Sequence, residues 1–366
     1  MTIVLHIGVS KTGSSAIQYG LARYQETLEA RGLHYALDGA EALVERRLIA
    51  SGNGSELAKQ LNPRPDAPMQ LTAVQFDREF VSDTCPISLI SCESLSAAQP
   101  GPLARFRDEV IGVREVRVVA FVRDLYGHAV SSWMQRIKRH GYTGLFQHFC
   151  AKPYNNKQCS ALRTYAEAFG PERMSVIHYG GLRESPFKAL LRTLGVPADD
   201  LQDPPRINRS LSAAEVEVLI ACNALHKNRG ELSARISDHL IYKHPDRPTD
   251  SVRSPAAARI LAERFGDDVD WVNRTFFPEG QDLAIGQGGS APPATADDRQ
   301  EVWADAVEVL GGRLVAVEAQ NRKLRTAIEG FEVDRARLRA ELAQLKDRTL
   351  LEHLRLDLAR RFRRGI

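Results

Sequence analysis

Apolar residues follow two different rhythms along the 366 residues of the chain. Through residues 1–279, short β-branched runs alternate with stretches whose apolar positions recur at helical spacing. Ile3–Ile7, Ile87–Ser91, Val116–Val122 and Met174–His178 read as strands, and segments near 15–31, 126–139, 159–169 and 212–227 as amphipathic helices. That alternation predicts an α/β domain on a largely parallel central sheet, and about 280 residues can bury such a core as one unit. The run Gly280–Asp298, rich in Gly, Pro, Ala and acid and without aromatics, reads as a flexible linker. The expected division is a domain over 1–279, a linker over 280–299 and a helical segment over 300–366.

Beyond the linker the period shortens. Stepping +4, +3 from Trp303 gives Val307, Leu310, Leu314, Val317, Asn321, Leu324, Ile328, Phe331, Arg335, Leu338, Leu342 and Leu345; of these thirteen positions eleven are apolar. A 3.5-residue repeat held this long is the seam of a coiled coil, narrower than the apolar stripe of a globular helix. Asn321 falls at an a position, where a buried amide fixes register and favours two strands. The expected partner is a second copy of the chain, joined over 303–345 along a rod of ~65 Å. Past Leu345 the repeat fails, and the basic tail LEHLRLDLARRFRRGI is at most a weak contact for an anionic surface.

Composition changes this picture little. Apolar residues at 43% and charged residues at 26% belong to an ordinary globular protein and exclude a mostly disordered chain. No stretch approaches the ~18 apolar residues of a spanning helix, and the first residues show neither a basic n-region nor a long apolar h-region. Five scattered cysteines without a C-x-x-C pair read as reduced thiols of a cytoplasmic protein. A net charge of +3 is too balanced to imply nucleic acid as a partner.

The segment His6-Ile7-Gly8-Val9-Ser10-Lys11-Thr12-Gly13-Ser14-Ser15 carries the chemistry. It leaves the first strand and opens the first helix. Two glycines let the backbone turn its N–H groups onto one anion, and the following helix aims its positive end at the same point. Lys11 adds an ammonium, and Ser14 and Ser15 add hydroxyls. The order G-x-x-K-T-G-S-S differs from the nucleoside-triphosphatase pattern G-x-x-x-x-G-K-[ST], so the hydroxyl that would hold Mg²⁺ after Gly-Lys is missing.

The string HIGVSKTGSSAIQ resembles the 5′-phosphosulfate loop of sulfotransferases that use 3′-phosphoadenosine 5′-phosphosulfate, in particular the bacterial carbohydrate-type members. The resemblance spans roughly residues 1–280. It implies a P-loop-like three-layer fold with a central parallel sheet, and cofactor contacts from Gly8, Lys11, Thr12, Gly13, Ser14 and Ser15. It also implies a 3′-phosphate motif of Arg followed eight residues later by Ser, which Arg123 and Ser131 match; Trp133, Gln135 and Lys138 continue it as such sequences do. Ser14 stands where Thr is frequent, and Leu125 replaces a frequent Pro. The acceptor implied is a hydroxyl of a carbohydrate or glycoconjugate.

Sulfuryl transfer passes charge to a leaving oxygen, so catalysis should be positioning and electrostatics. Lys11 is placed to stabilise that oxygen. The base that takes the acceptor's proton is expected to be Glu93, at the carboxyl edge of the Ile87–Ser91 strand, with His6 second and His128 and His140 less well placed. Arg206 and Asn208 read as surface or capping residues, and Ser212 with Glu215 as a capping box. No His or Cys cluster suggests a metal. The competing expectations are a kinase-like phosphotransferase, and a coiled-coil assembly protein with a relic nucleotide site.

Overall fold

The computed structural model describes residues 1–9, 11–37, 52–64, 68–204, 209–225, 229–247, 252–280, 282–286 and 294–364. The chain divides into two units, Met1–Val302 and Trp303–Ile366. In the first, the elements are β1 (Thr2–His6), α1 (Ser14–Arg23), α2 (Gln25–Ala30), β2 (Leu33–His34), α3 (Ser55–Leu61), α4 (Ala73–Phe80), β3 (Ile87–Ser91), α5 (Pro100–Arg105), β4 (Glu115–Val122), α6 (Leu125–His140), α7 (Phe146–Ala151), α8 (Lys157–Phe169), β5 (Met174–His178), α9 (Pro186–Thr193), α10 (Ala213–Leu225), α11 (Arg229–Lys243) and α12 (Pro255–Phe276). The last helix, α13, runs from Ala296 to Arg364. Among the described residues no helix is long and apolar enough to cross a membrane.

Among the described residues, five parallel strands lie in the order β2-β3-β1-β4-β5 with helices around them, the α/β fold the alternating pattern predicts. β3 and β5 keep the expected bounds, β4 begins one residue early, and β1 both begins and ends one residue early. β1 is central. Its Ile3, Val4 and Leu5 are wholly buried because helices cover both faces, which is why the strand reads as a continuous apolar run. From β1 the chain crosses to the β2/β3 side, then returns past β1 to β4 and β5. The carboxyl ends of β1, β3 and β4 therefore meet at the point where strand order reverses, the place where open sheets of this kind present ligand-binding loops.

β2 is too short to show a period, and it leaves the rest of the β3 edge uncovered. Asn53 covers it with a side chain: its Nδ2 donates to the Leu89 carbonyl (3.0 Å) and its Oδ1 accepts from the Ser91 N–H (2.8 Å). Asn53 thereby continues the ladder where the strand stops, satisfying groups whose burial unpaired would cost about 1–3 kcal/mol each.

Part of the stretch read as a linker is fixed in place. Leu283 is buried, and its backbone exchanges two hydrogen bonds with the Asn273 amide (2.7 and 2.9 Å). The carbonyls of Ala284 and Ile285 accept from the N–H groups of Leu125 and Tyr126 (2.9 and 2.7 Å). Asp124, at the N-cap position of α6, uses its carboxylate on His178 (2.9 Å) and on the Ala284 N–H (3.0 Å), with no side-chain bond to its own helix. The expected Ser212–Glu215 capping box is formed. All five cysteines are buried and free. Within the second unit the predicted seam lies on a continuous helix, and Leu314, Leu324, Ile328, Phe331, Leu338, Leu342 and Leu345 are exposed.

α1 lies against α9 with no room for a side chain at Gly20, where a Cβ would come within 2.5 Å of the Phe187 ring. Gly20→Ala is therefore expected to lower the urea midpoint by the equivalent of about 1–3 kcal/mol, although helix propensity alone predicts a gain of ~1 kcal/mol. A raised midpoint in equilibrium unfolding would show that this contact is loose.

Candidate active site

The β1–α1 junction is a cradle of donors. Gly8, Lys11 and Gly13 have φ of 27°, 69° and 90°, which turns the backbone repeatedly through the left-handed region. Such turns make successive N–H groups converge on a concave anion-binding surface. For Lys11 this conformation costs roughly 1–2 kcal/mol. Gly8 is required: a Cβ there would meet Ser14 Oγ at 3.0 Å and the Glu93 Cα at 3.1 Å. Thr12 is wholly buried and its hydroxyl donates to the Val9 carbonyl (2.5 Å), so it closes the loop and leaves only its backbone to face a ligand.

α1 begins at Ser14 with Gly13 as its N-cap, without a side-chain cap and without an acid in the first turn. Ala16 and Ile17 donate to the Gly13 carbonyl, whereas the N–H groups of Ser14 and Ser15 meet no acceptor among the described residues. Ser14 is 4% exposed, and its hydroxyl oxygen is buried and meets no hydrogen-bond partner among the described residues. A buried, unsatisfied hydroxyl beside two unsatisfied N–H groups at a helix start fits an oxyanion such as phosphate or sulfate.

The second set of donors lies along one face of α6. Arg123 follows β4, its backbone held by the Gln158 amide (2.9 and 3.2 Å), and its half-buried guanidinium donates to no described residue. That group lies over Gly127, where a Cβ would be 2.9 Å from Nε. Ser131, one turn on, also makes no hydrogen bond with a described residue. One further turn brings Gln135, whose Oε1 accepts from Lys11 Nζ (3.1 Å). Gly127, Ser131, Gln135 and Lys138 thus share a face by the i, i+4, i+7 rule, and the Lys11–Gln135 bond ties the loop to it about 6 Å of helical rise beyond Ser131. The α6 N-terminus itself is already occupied by the carbonyls of Ala284 and Ile285, so the second donor set consists of Arg123 and Ser131.

Glu93 opens the turn after β3, packs its backbone on Gly8 and is exposed; its carboxylate acts on Lys11. Burial pulls the Lys11 ammonium below the ordinary lysine range, Glu93 opposes that pull and the Arg139 guanidinium adds to it. His6 is not brought to this position. It is wholly buried, its Nδ1 2.8 Å from Ser91 Oγ and its ring edge-on to Phe121, and burial lowers its pKa to about 4. It is a neutral core residue at neutral pH. His128 is likewise buried, 2.8 Å from the Tyr154 hydroxyl. Arg206 and Asn208 lie outside the described residues, as does Ser10 of the loop.

Gln135 and Lys138, which the family pattern carries after Ser131 without assigning them a role, are brought onto the same helix face by their spacing of four and seven residues from it. Lys138 is half-buried and forms no ion pair with a described residue, because Arg139 takes Asp238 in a two-pronged pair (2.7 and 2.9 Å). Burial, then the charges of Lys11 and Arg139, lower its pKa to about 8.

No family model and no curated protein matches the sequence. Among solved structures, a sulfotransferase from Alicyclobacillus acidocaldarius aligns with a TM-score of 0.35 at 14% identity, over 63% of this chain and 94% of that one.

A lysine whose pKa is near 8 makes anion affinity depend on pH in a range where ordinary lysines do not titrate. A bound anion favours the protonated form, so affinity is full below pH 8 and falls as pH rises through it. Inorganic sulfate, whose charge is constant over this range, should bind several-fold more weakly at pH 9 than at pH 7. Lys138→Arg, which stays charged, should reduce that loss; the same pH dependence in both proteins would show that Lys138 does not face the anion.

Proposed function

We propose that the chain is a sulfotransferase that moves a sulfuryl group from 3′-phosphoadenosine 5′-phosphosulfate to a hydroxyl, with a carbohydrate or glycoconjugate as the acceptor. The observation that carries this reading is the presence of two donor sets joined along one face of α6, in which the N–H groups of Ser14 and Ser15, Ser14 Oγ, Arg123 and Ser131 meet no acceptor among the described residues and Lys11 meets only Gln135. One comprises the loop N–H groups, Ser14 Oγ and Lys11; the other comprises Arg123 and Ser131. A donor nucleotide with anionic groups at both its 5′ and 3′ positions would satisfy both sets with one molecule. A nucleoside triphosphate would leave the Arg123 set without a partner.

In this reading the loop and the α1 N-terminus grip the 5′ end, with Arg123 and Ser131 on the 3′-phosphate. The acceptor oxygen attacks sulfur as the bond from sulfur to the bridging phosphate oxygen breaks, and the electron pair of that bond stays on the phosphate. Lys11 supports the developing charge at that oxygen, and Gln135 holds the ammonium in place. The proton lost by the acceptor goes to Glu93, which packs on the loop and is open to solvent. Every charge that moves is met by a side chain already on the strand ends, so no metal is needed for this step. The carbohydrate class rests on the resemblance of the loop sequence.

Transfer of radiolabelled sulfate from this donor to a panel of mono- and oligosaccharides tests the assignment. The parent should label at least one of them. Glu93→Gln should lose roughly 10²- to 10⁴-fold in rate while binding the donor as before, and Lys11→Ala roughly 10²- to 10³-fold. A Glu93→Gln protein that transfers at the full rate would remove Glu93 as the base, and absence of labelling on every hydroxyl compound by a donor-bound parent would remove the carbohydrate assignment.

A further inference from the structure

We propose that residues 310–345 of α13 pair with the same segment of a second copy of this chain as a parallel, in-register, two-stranded coiled coil. The inference concerns the second unit and stands independently of the transferase reading. The seam residues are exposed in the single chain: Leu314, Ile328 and Leu342 at a, and Val317, Leu324, Phe331, Leu338 and Leu345 at d. The helix also carries Gly311, Gly312 and Gly330, none of which meets a neighbouring atom within 4 Å. Glycines in a helix interior weaken it, and long helices in proteins owe their stability to what their apolar face packs against.

Charge decides the partner and its direction. In a parallel pair each g residue faces the e residue five positions later on the other copy. The heptad places Arg313, Gln320, Ala327, Asp334 and Glu341 at g, facing Glu318, Arg325, Glu332, Arg339 and Lys346 at e. Arg313–Glu318, Asp334–Arg339 and Glu341–Lys346 are opposite in charge, and no pair is alike. Glu341 also accepts from Arg337 of its own helix (3.1 Å), an exposed bond that leaves its other oxygen available.

The antiparallel arrangement at full overlap is less favourable: Arg313 against Glu341 is its one pair of opposite charges at g, and its e positions bring like charges together. It sets Glu318 against Glu332 of the second copy and Arg325 against its own counterpart, and it buries Asn321 against Phe331 and Arg335 against Val317. In the parallel arrangement the two Asn321 amides face each other and can exchange hydrogen bonds, which is how a single polar a residue selects two strands and fixes their register. Arg335 faces Arg335 in that arrangement; its long stem can cover the seam while its charge reaches water.

Because all five natural cysteines are buried, single cysteines placed in the seam report orientation. Full-length Val317→Cys and Leu338→Cys proteins are oxidised mildly, each alone, and a mixture of Val317→Cys with Arg335→Cys is oxidised after subunit exchange. Sedimentation equilibrium of the parent gives the number of chains. The expected result is a dimer in which Val317→Cys and Leu338→Cys each link to themselves. A monomer, a trimer or larger assembly, or linking confined to the Val317→Cys/Arg335→Cys mixture would overturn the proposal. Arg313→Glu should weaken the dimer and Arg313→Glu with Glu318→Arg should restore it, an effect that mere loss of helix would not produce.

Discussion

Several hydrogen-bond donors at the end of the central strand find no acceptor among the described residues, and the neighbouring elements hold them in place. Two N–H groups at the start of α1 and the buried Ser14 hydroxyl are left unsatisfied at a point where Lys11 adds charge and takes a costly backbone conformation. Buried donors without partners are rare because each costs about 1–3 kcal/mol. Here they are held in place by neighbours that cannot relax: Thr12 locks the loop from inside, Gly8 lies against the Glu93 backbone, and Gln135 restrains the lysine. Strain and unmet donors concentrated at one strand end are what the proposed binding of an external oxyanion would draw on.

The sheet makes this arrangement possible by bringing three separate strand ends to one edge. β1 delivers the loop, β3 delivers Glu93, and β4 delivers Arg123 and then α6, whose single face carries both the second donor set and the contact to Lys11. Distances along the chain of eighty to one hundred and twenty residues collapse because the strands are parallel and their carboxyl ends coincide. Packing elsewhere serves this edge: Asn53 completes β3 just before Glu93, and the segment from Leu283 to Ile285 satisfies the start of α6, which frees Asp124 to hold His178.

Much of this was legible before any coordinates. Continuous β-branched runs gave the buried strands within one residue, since burial on both faces demands such runs. The glycine and lysine order points to the turn between β1 and α1, where the backbone takes left-handed φ at Gly8, Lys11 and Gly13, and the spacing of Arg123 and Ser131 points to α6; an anion at either place is a proposal. What the pattern could not carry was anything depending on a single side chain replacing backbone. Asn53 standing in for a strand, Asp124 leaving its own helix for a distant histidine, and Leu283 fixing a glycine-rich stretch all depend on contacts far apart in sequence and leave no periodic trace. His6 shows the opposite failure: its place next to the loop suggests chemistry, but β1 is buried on both faces, so His6 lies in the core, where burial keeps it neutral.

The central claim is that the loop and Arg123 grip two ends of one molecule. Calorimetric titration with adenosine 3′,5′-bisphosphate, on the parent and on Lys11→Ala and Arg123→Ala, tests it most directly. Loss of a charged hydrogen-bonding partner should weaken binding in each variant by roughly ten- to a hundredfold, with ATP and Mg²⁺ binding the parent less tightly than the bisphosphate. Equal affinity in all three proteins, or a preference for ATP with Mg²⁺, would contradict the account.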